Sequence, residues 1–326
     1  MTAPPAGVAR ARCPARRAVL VAGAAAALGA GGVTAVRAAR GPAPGPATLV
    51  LATGPLGAVF VEVGRDVARA VEALAPGTRV RTLVTAASVD NLALLAAARA
   101  DLGLASLDAV AVDPRAGPGS ITTVGRVYDS VLHLVVPAAS PVRTLAGCGG
   151  RRVSVGAAGS GTEFTTRRLL VTAGVRPGST VRLAQAEAMA ALAAGSIEAA
   201  FSLTGFPTPA ISDLARRAPV RLVPLPGAAP ALGAGLPRVY SPAVVPAGIY
   251  PGIVATPTVA VPNLLLVRPG LPDAAVSLVT AALLSAGSRR FWTHPDSRRI
   301  DVRTAIATGP VPLHPAAVAW LRAHKP

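Results

Sequence analysis

Two segments of this sequence combine glycines with hydroxyl side chains directly after short apolar runs. Thr53-Gly54-Pro55-Leu56-Gly57-Ala58 follows the run Thr48 to Ala52, and Gly156-Ala157-Ala158-Gly159-Ser160-Gly161-Thr162 follows Arg152 to Val155. Each reads as a strand-to-helix turn. The first N–H groups of a helix have no partner inside it, and the helix dipole adds partial positive charge there. Such a turn can hold a carboxylate or similar anion without a charged side chain. Taken singly, each turn is better explained as a helix cap than as a ligand site, with Ser160 or Thr162 as the capping residue. Their matching places in two repeats of one pattern favour binding, with Thr53, Gly54 and Gly57 from the first turn and Gly159, Ser160, Gly161 and Thr162 from the second.

Two further segments are candidates. In Thr85-Ala86-Ala87-Ser88-Val89-Asp90-Asn91, Ser88 reads as an N-cap and Asn91 as a polar finger into a cleft, or as part of the cap. In Thr204-Gly205-Phe206-Pro207-Thr208-Pro209, Gly205 marks a turn and Phe206 either covers a solute or plugs the core. Other chemistries lack their parts. Gly156-x-x-Gly159-x-Gly161 is not the dinucleotide fingerprint, and a P-loop is excluded because the only lysine is Lys325. No Ser/His/Asp order, paired carboxylates or HExxH occurs, so no catalytic machinery is visible. Cys13 and Cys148 are too few and too far apart for a metal cluster. We therefore expect a non-enzyme with no cofactor and no metal. His133, inside an apolar run, reads as a satisfied core histidine.

The elements that would position these loops follow a β-α rhythm. Apolar runs at 48–52 and 102–105 and an alternating strand pattern at 78–84 are interspersed with helical spacing at 57–74 and 88–99, and Ser106 opens another short helix. A strand at 130–136 stops at Pro137, and 138–145 reads as a crossing segment. The rhythm restarts with strands at 152–155, 181–183 and 199–203 and helices at 162–174 and 186–194. Residues 219–235 give no clear element, 258–267 returns as an apolar strand, and 272–286 and 316–324 read as helices. Two α/β units with loops converging between them result.

Composition bounds the rest. Of 326 residues, 52% are hydrophobic and 14% charged, which excludes wholesale disorder. The net charge of +17 would suit nucleic acid, but the arginines are scattered without a basic stripe or interleaved aromatics, so no nucleic-acid partner is expected. Residues 1–40 hold six arginines and no acid, with an apolar run from Ala18 to Val36 between them. This is the pattern of an export signal, and Arg16-Arg17 would suit the twin-arginine route. The expected organisation is a signal peptide over 1–39, with an uncleaved anchor as the alternative, and a Pro/Gly linker over 40–46. Lobe I would comprise 47–137 together with 256–326, and lobe II 138–255.

Taken together, the segments resemble the TAXI solute-binding subunits of TRAP transporters. The matches are Thr53 to Phe60 for T-G-x-x-G-x-x-Y, Thr85 to Asn91 for a T-x-G-S-x-x-N-like stretch, and Ala100 to Asp108 for an "aDlglvqsD"-like stretch. Arg152 to Thr162, Ala191 to Phe201, Val245 to Gly252 and Pro312 to Ala317 match four further family motifs in order. The resemblance implies a type II periplasmic-binding-protein-like α/β clamshell with parallel-rich sheets and a hinge between lobes. It implies capture of an amino acid or dicarboxylate, and delivery to a membrane permease by a monomer. It also adds Phe60 and Ser106 to the candidate site, where the family has Tyr and Gln. Losing that hydroxyl and that amide points to a solute less polar than glutamate. The competing classes are a sensing receptor domain for a signalling system and an extracytoplasmic enzyme.

Overall fold

The structure, a computed structural model, describes residues 48–324. The expected leader and linker lie outside the described residues. The chain opens with strand β1 (Thr48–Ala52), helix α1 (Val59–Leu74) and strand β2 (Arg79–Leu83). Helix α1 forms because Val59, Val63, Val67, Ala70 and Val71 recur on one face, and that face is buried. It ends at Ala75, before Pro76 and Gly77, the latter at φ +103°. Helix α2 (Ser88–Ala96), strand β3 (Leu102–Ser106) and short helix α3 (Leu107–Ala111) follow. Strand β4 (Thr122–Pro137) is sixteen residues long.

The second part contains β5 (Arg152–Ser154), α4 (Gly161–Thr172), β6 (Ser179–Val181), α5 (Gln185–Ala193) and β7 (Ala199–Thr204). Then come α6 (Pro209–Arg217), β8 (Val220–Leu222), α7 (Ala228–Gly233) and β9 (Ser241–Val245). Strand β10 (Thr256–Val267) returns, followed by α8 (Asp273–Leu284), α9 (Val302–Ala305) and α10 (Pro315–Ala323).

The strands form one mixed sheet in the order β2-β1-β3-β10-β4-β7-β5-β6, with β9 also on β10 and β8 also on β4. The ladders β1·β2, β1·β3, β5·β6 and β5·β7 are parallel, as the βαβ rhythm requires. The middle is antiparallel, because β10 runs back between β3 and β4 and β4 pairs β7 in the opposite sense. Parallel pairing is thus confined to the two ends.

Side chains sort into cores on either side of a line across β4 and β10. Val124, Val127 and Tyr128 pack with Leu49, Val63 and Val267, whereas Val131 and Val135 pack with Phe206, Ile211 and Tyr250. On β10, Val259 and Ala260 belong to the second set and Leu264 to Val267 to the first. The cores therefore change within the long strands, at 129–130 and 261–263, rather than at the expected boundaries of 137/138 and 255/256. Residues 138–145 are turns and do not cross: Pro137 ends β4, and β4 itself has already crossed. Sequence spacing missed Thr122–Asp129 because Gly125, Arg126 and Asp129 interrupt its apolar character; the last two pair with each other. It also missed α6, whose Pro209 stands at a first-turn position suited to proline.

Candidate functional site

The two glycine turns line one cavity. Pro55, Ala58, Val59 and Phe60 close it from the first half, and Gly156, Ala157, Ser160, Gly161 and Thr162 from the second. Ala86 to Ser88 and Leu183 to Gln185 complete the walls, so four helices (α1, α2, α4 and α5) begin at this space. Its floor is the pair of crossing strands, through Tyr128 and Ser130 of β4 and Asn263 of β10. Among the described residues, no Asp, Glu, Lys, Arg or His lines it. The cavity volume is about 50 Å³.

Local sequence explains what each helix start offers. In α4, Ser160 is the N-cap, and its hydroxyl accepts from the Glu163 N–H at 3.0 Å. The Glu163 carboxylate reaches back to the Gly159 N–H at 3.0 Å, which leaves Gly161 and Thr162 as the first free amides. In α1, Ala58 has no side chain to cap with, and the Val59 and Phe60 N–H groups have no partner among the described residues. Each helix start favours a negative group by about 0.3–1 kcal/mol, and by up to about 2 kcal/mol where partly buried. At α2 the amides of Val89 and Asp90 are taken by the Gly159 carbonyl of the other half, at 3.1 and 3.3 Å.

The halves are in contact around the cavity. Gly161 packs on the hydroxyls of Ser88 and Ser106, which share a 3.1 Å hydrogen bond; a Cβ at residue 161 would lie 2.7 Å from each oxygen. Thr165 and Tyr240 both donate to buried Asp108, whose carboxyl is pushed up by burial even though these bonds hold it down. On another side, His294 bonds the Pro207 carbonyl at 3.3 Å, and the Arg299 guanidinium lies 4.6 Å from the Phe206 ring centroid.

Of the thirteen expected site residues, Phe60, Ser88, Ser106, Ser160, Gly161 and Thr162 line the cavity. The others do different work. Thr53 donates its hydroxyl to the Leu83 carbonyl at 2.6 Å, tying β1 to β2. Gly54 sits behind Phe60, where a Cβ would meet the Phe60 Cβ at 3.1 Å. Gly57, at φ +79°, turns the chain toward Ala210. Asn91 is not a finger into the cleft. It is fully buried, and its amide donates to the carbonyls of Thr53 and Leu104 at 2.7 Å each while accepting from Thr85. Ser88 is the first helical residue rather than the cap; its hydroxyl accepts from the Ser106 N–H at 3.0 Å. Gly159 serves through its carbonyl, as the link to α2. Gly205 and Phe206 lie away from the cavity. Gly205 is pressed so close to Asp296 that a Cβ would collide with the carboxylate, and Phe206 is a core plug.

Sequence reasoning passed over Tyr128, Ser130, Gln185 and Asn263. Asn263 had a visible signal, as the one amide in the apolar run TVAVPNLLLV. The β10·β4 register shifts between Pro262 and Leu264, a bulge that re-aims the intervening residue. The Asn263 Nδ2 donates to the Tyr128 carbonyl at 3.2 Å and the Ser130 hydroxyl at 2.8 Å, so Oδ1 is the remaining acceptor. That oxygen and the Tyr128 hydroxyl have no hydrogen-bond partner among the described residues. The Ser130 hydroxyl stands near the phenol but closes no well-formed bond with it. The Tyr128 ring meets Phe60 edge-on at 6.2 Å.

Other buried titratable groups outside this cavity include His133, Cys148 and Asp296. His133 donates to the Val131 carbonyl at 3.0 Å and meets the Tyr250 hydroxyl at 3.2 Å; burial lowers its pKa to about 4, so it is neutral. It is the satisfied core histidine expected. Cys148 is buried and free, with its thiol pushed up to about 11 by burial. Asp296 is fully buried, and burial raises it to about 7 against the pull of Arg299 at 3.3 Å. Among the described residues no cluster of three or more His, Cys, Asp or Glu is placed to hold a metal, and no helix is long and apolar enough to cross a membrane.

Solved structures share this architecture. MatC from Rhodopseudomonas palustris with bound malate matches at 18% identity and TM-score 0.51, over 85% of this chain and 94% of that one. The periplasmic binding protein BugD matches at 13% identity and TM-score 0.52, over 85% and 93%. The alkanesulfonate-binding protein SsuA from Xanthomonas axonopodis pv. citri, bound to MOPS, gives 20% identity, TM-score 0.46 and 87% and 86% coverage. The fold is the two-domain, type II periplasmic-binding-protein-like α/β fold expected from the sequence, built on one curled mixed sheet. The sequence profile of the NMT1-like family matches residues 51–323, and the chain belongs to that family.

Proposed function

We propose that this chain is an extracytoplasmic solute-binding protein that captures a small carboxylate-bearing solute between two lobes and delivers it to a TRAP-type secondary transporter. The observation that carries the reading is the convergence of helix starts from both halves on one cavity without a charged side chain. Four unpartnered amides, of Val59, Phe60, Gly161 and Thr162, stand ready for an anion there. A binding role agrees with the family and with the fold of MatC, which was solved with malate. In this reading the two lobes follow the change of core, and the crossings at 129–130 and 261–263 act as the hinge. Export agrees with the basic and apolar start of the sequence.

Closure shifts a two-state population by as much as the solute prefers the closed form. Thermal-shift screening with small acids tests the capture step. At a concentration of 100 Kd the right acid stabilises the protein by about 2.7 kcal/mol. If amino acids, monocarboxylates and dicarboxylates all leave the melting temperature unmoved, the carboxylate reading is wrong. The transport step is tested by solute uptake through a TRAP-type permease co-expressed with this protein; uptake independent of this protein would remove the delivery role.

A further inference from the structure

The lining of the cavity offers two kinds of polar group. Helix starts supply N–H donors suited to a carboxylate. At the floor stand an acceptor and a hydroxyl: Asn263 Oδ1, whose identity as oxygen is fixed because Nδ2 donates to the Tyr128 carbonyl, and the Tyr128 phenol. Both residues are buried, at 0% and 3% exposure, and neither atom has a partner among the described residues. Buried polar groups are ordinarily paired, so an orphaned acceptor beside a cavity calls for a donor from what fills it.

We propose that the solute is a compact monocarboxylic acid bearing a neutral hydrogen-bond donor, of the 2-hydroxy acid class, with its carboxylate at the starts of α1 and α4 and its hydroxyl on Asn263 Oδ1 and Tyr128. This rests on the carboxylate reading above and narrows it. A second carboxylate would find neither Lys, Arg nor His among the lining residues, and would face the Asn263 oxygen as acceptor against acceptor. An ammonium would find no lining carboxylate. Size points the same way. About 50 Å³ corresponds to roughly three to five water positions, room for a molecule of few heavy atoms.

The test is titration calorimetry on the full chain with glycolate and lactate, their deoxy counterparts acetate and propionate, and glycine and malate. A site built around a substrate hydroxyl rejects the analogue lacking it, so each hydroxy acid should bind at least about tenfold more tightly than its deoxy partner. Tyr128→Phe keeps the ring and Asn263→Leu keeps the bulk; in either, the hydroxy-to-deoxy ratio should fall toward one. Reading a ratio within one variant keeps the test valid if the other variant misfolds. Equal affinity for lactate and propionate, or tighter binding of malate or glycine, overturns the inference while leaving the carboxylate reading in place. Binding of none of these acids overturns both.

Discussion

Gly161→Ala separates closure from folding. Residue 161 opens α4 with an ordinary negative φ, so alanine costs nothing there in backbone strain and gains up to about 1 kcal/mol in helix propensity. In the closed arrangement the new methyl would lie 2.7 Å from both the Ser88 and Ser106 hydroxyls, well inside van der Waals contact. Those two hydroxyls are bonded to each other and the Ser88 oxygen also accepts from the Ser106 N–H, so rotating away would break these bonds. Overpacking of this kind costs about 1–3 kcal/mol. The cost falls on the closed form alone, because the hydroxyls and the glycine belong to opposite lobes. Solute affinity should therefore drop by about 5- to 150-fold, at 1.4 kcal/mol per factor of ten. The melting temperature without solute should hold or rise. Calorimetry gives the affinity, thermal unfolding gives the stability, and small-angle scattering should show a more open population. An affinity within twofold of wild type would refute the closure geometry. A collapse in stability would mean that the two lobes do not separate at all.

Other substitutions divide support from contact. Asn91→Ala should cost about 3 kcal/mol by orphaning two buried carbonyls, measured by denaturant unfolding, while the protein that still folds keeps its affinity. Ser160→Ala should cost about 1 kcal/mol through the lost cap and also weaken binding; stability loss without any binding loss would make Ser160 a cap alone. Asp296 takes up a proton more readily when folded than when unfolded, because burial raises it from 3.8 to about 7. Its contribution to stability is therefore greatest at low pH and falls as pH rises from about 4 through about 7. Asp296→Asn should melt progressively higher than wild type across that range, and parallel melting curves would contradict the assignment. Cys148, buried and raised to about 11, should resist alkylation at pH 8 until denaturant is added.

Much of the fold was legible because its βαβ parts obey local periodicity. The spacing of α1 and the Gly-Ser-Gly start of α4 were readable without any structure, and both led to the cavity. What sequence could not show was long-range. The change of core at 129–130 and 261–263 was missed because it falls in mid-strand: β4 was read only from Ser130 onward, and β10 was read as one continuous strand through Pro262-Asn263. Asn91 looks like a ligand group by type and position, yet three strand-end and loop partners claim it. Tyr128 and Asn263 are 135 residues apart and meet only through the antiparallel β4·β10 pairing. Ser130, beside them, was hidden for the same reason.

A structure of the protein with its solute would weigh most. The predicted result is a carboxylate between the lobes, its oxygens within hydrogen-bonding distance of the N–H groups of Gly161 and Val59 or Phe60. A solute bound elsewhere, or one whose anionic group turns toward Asn263 instead, would contradict it.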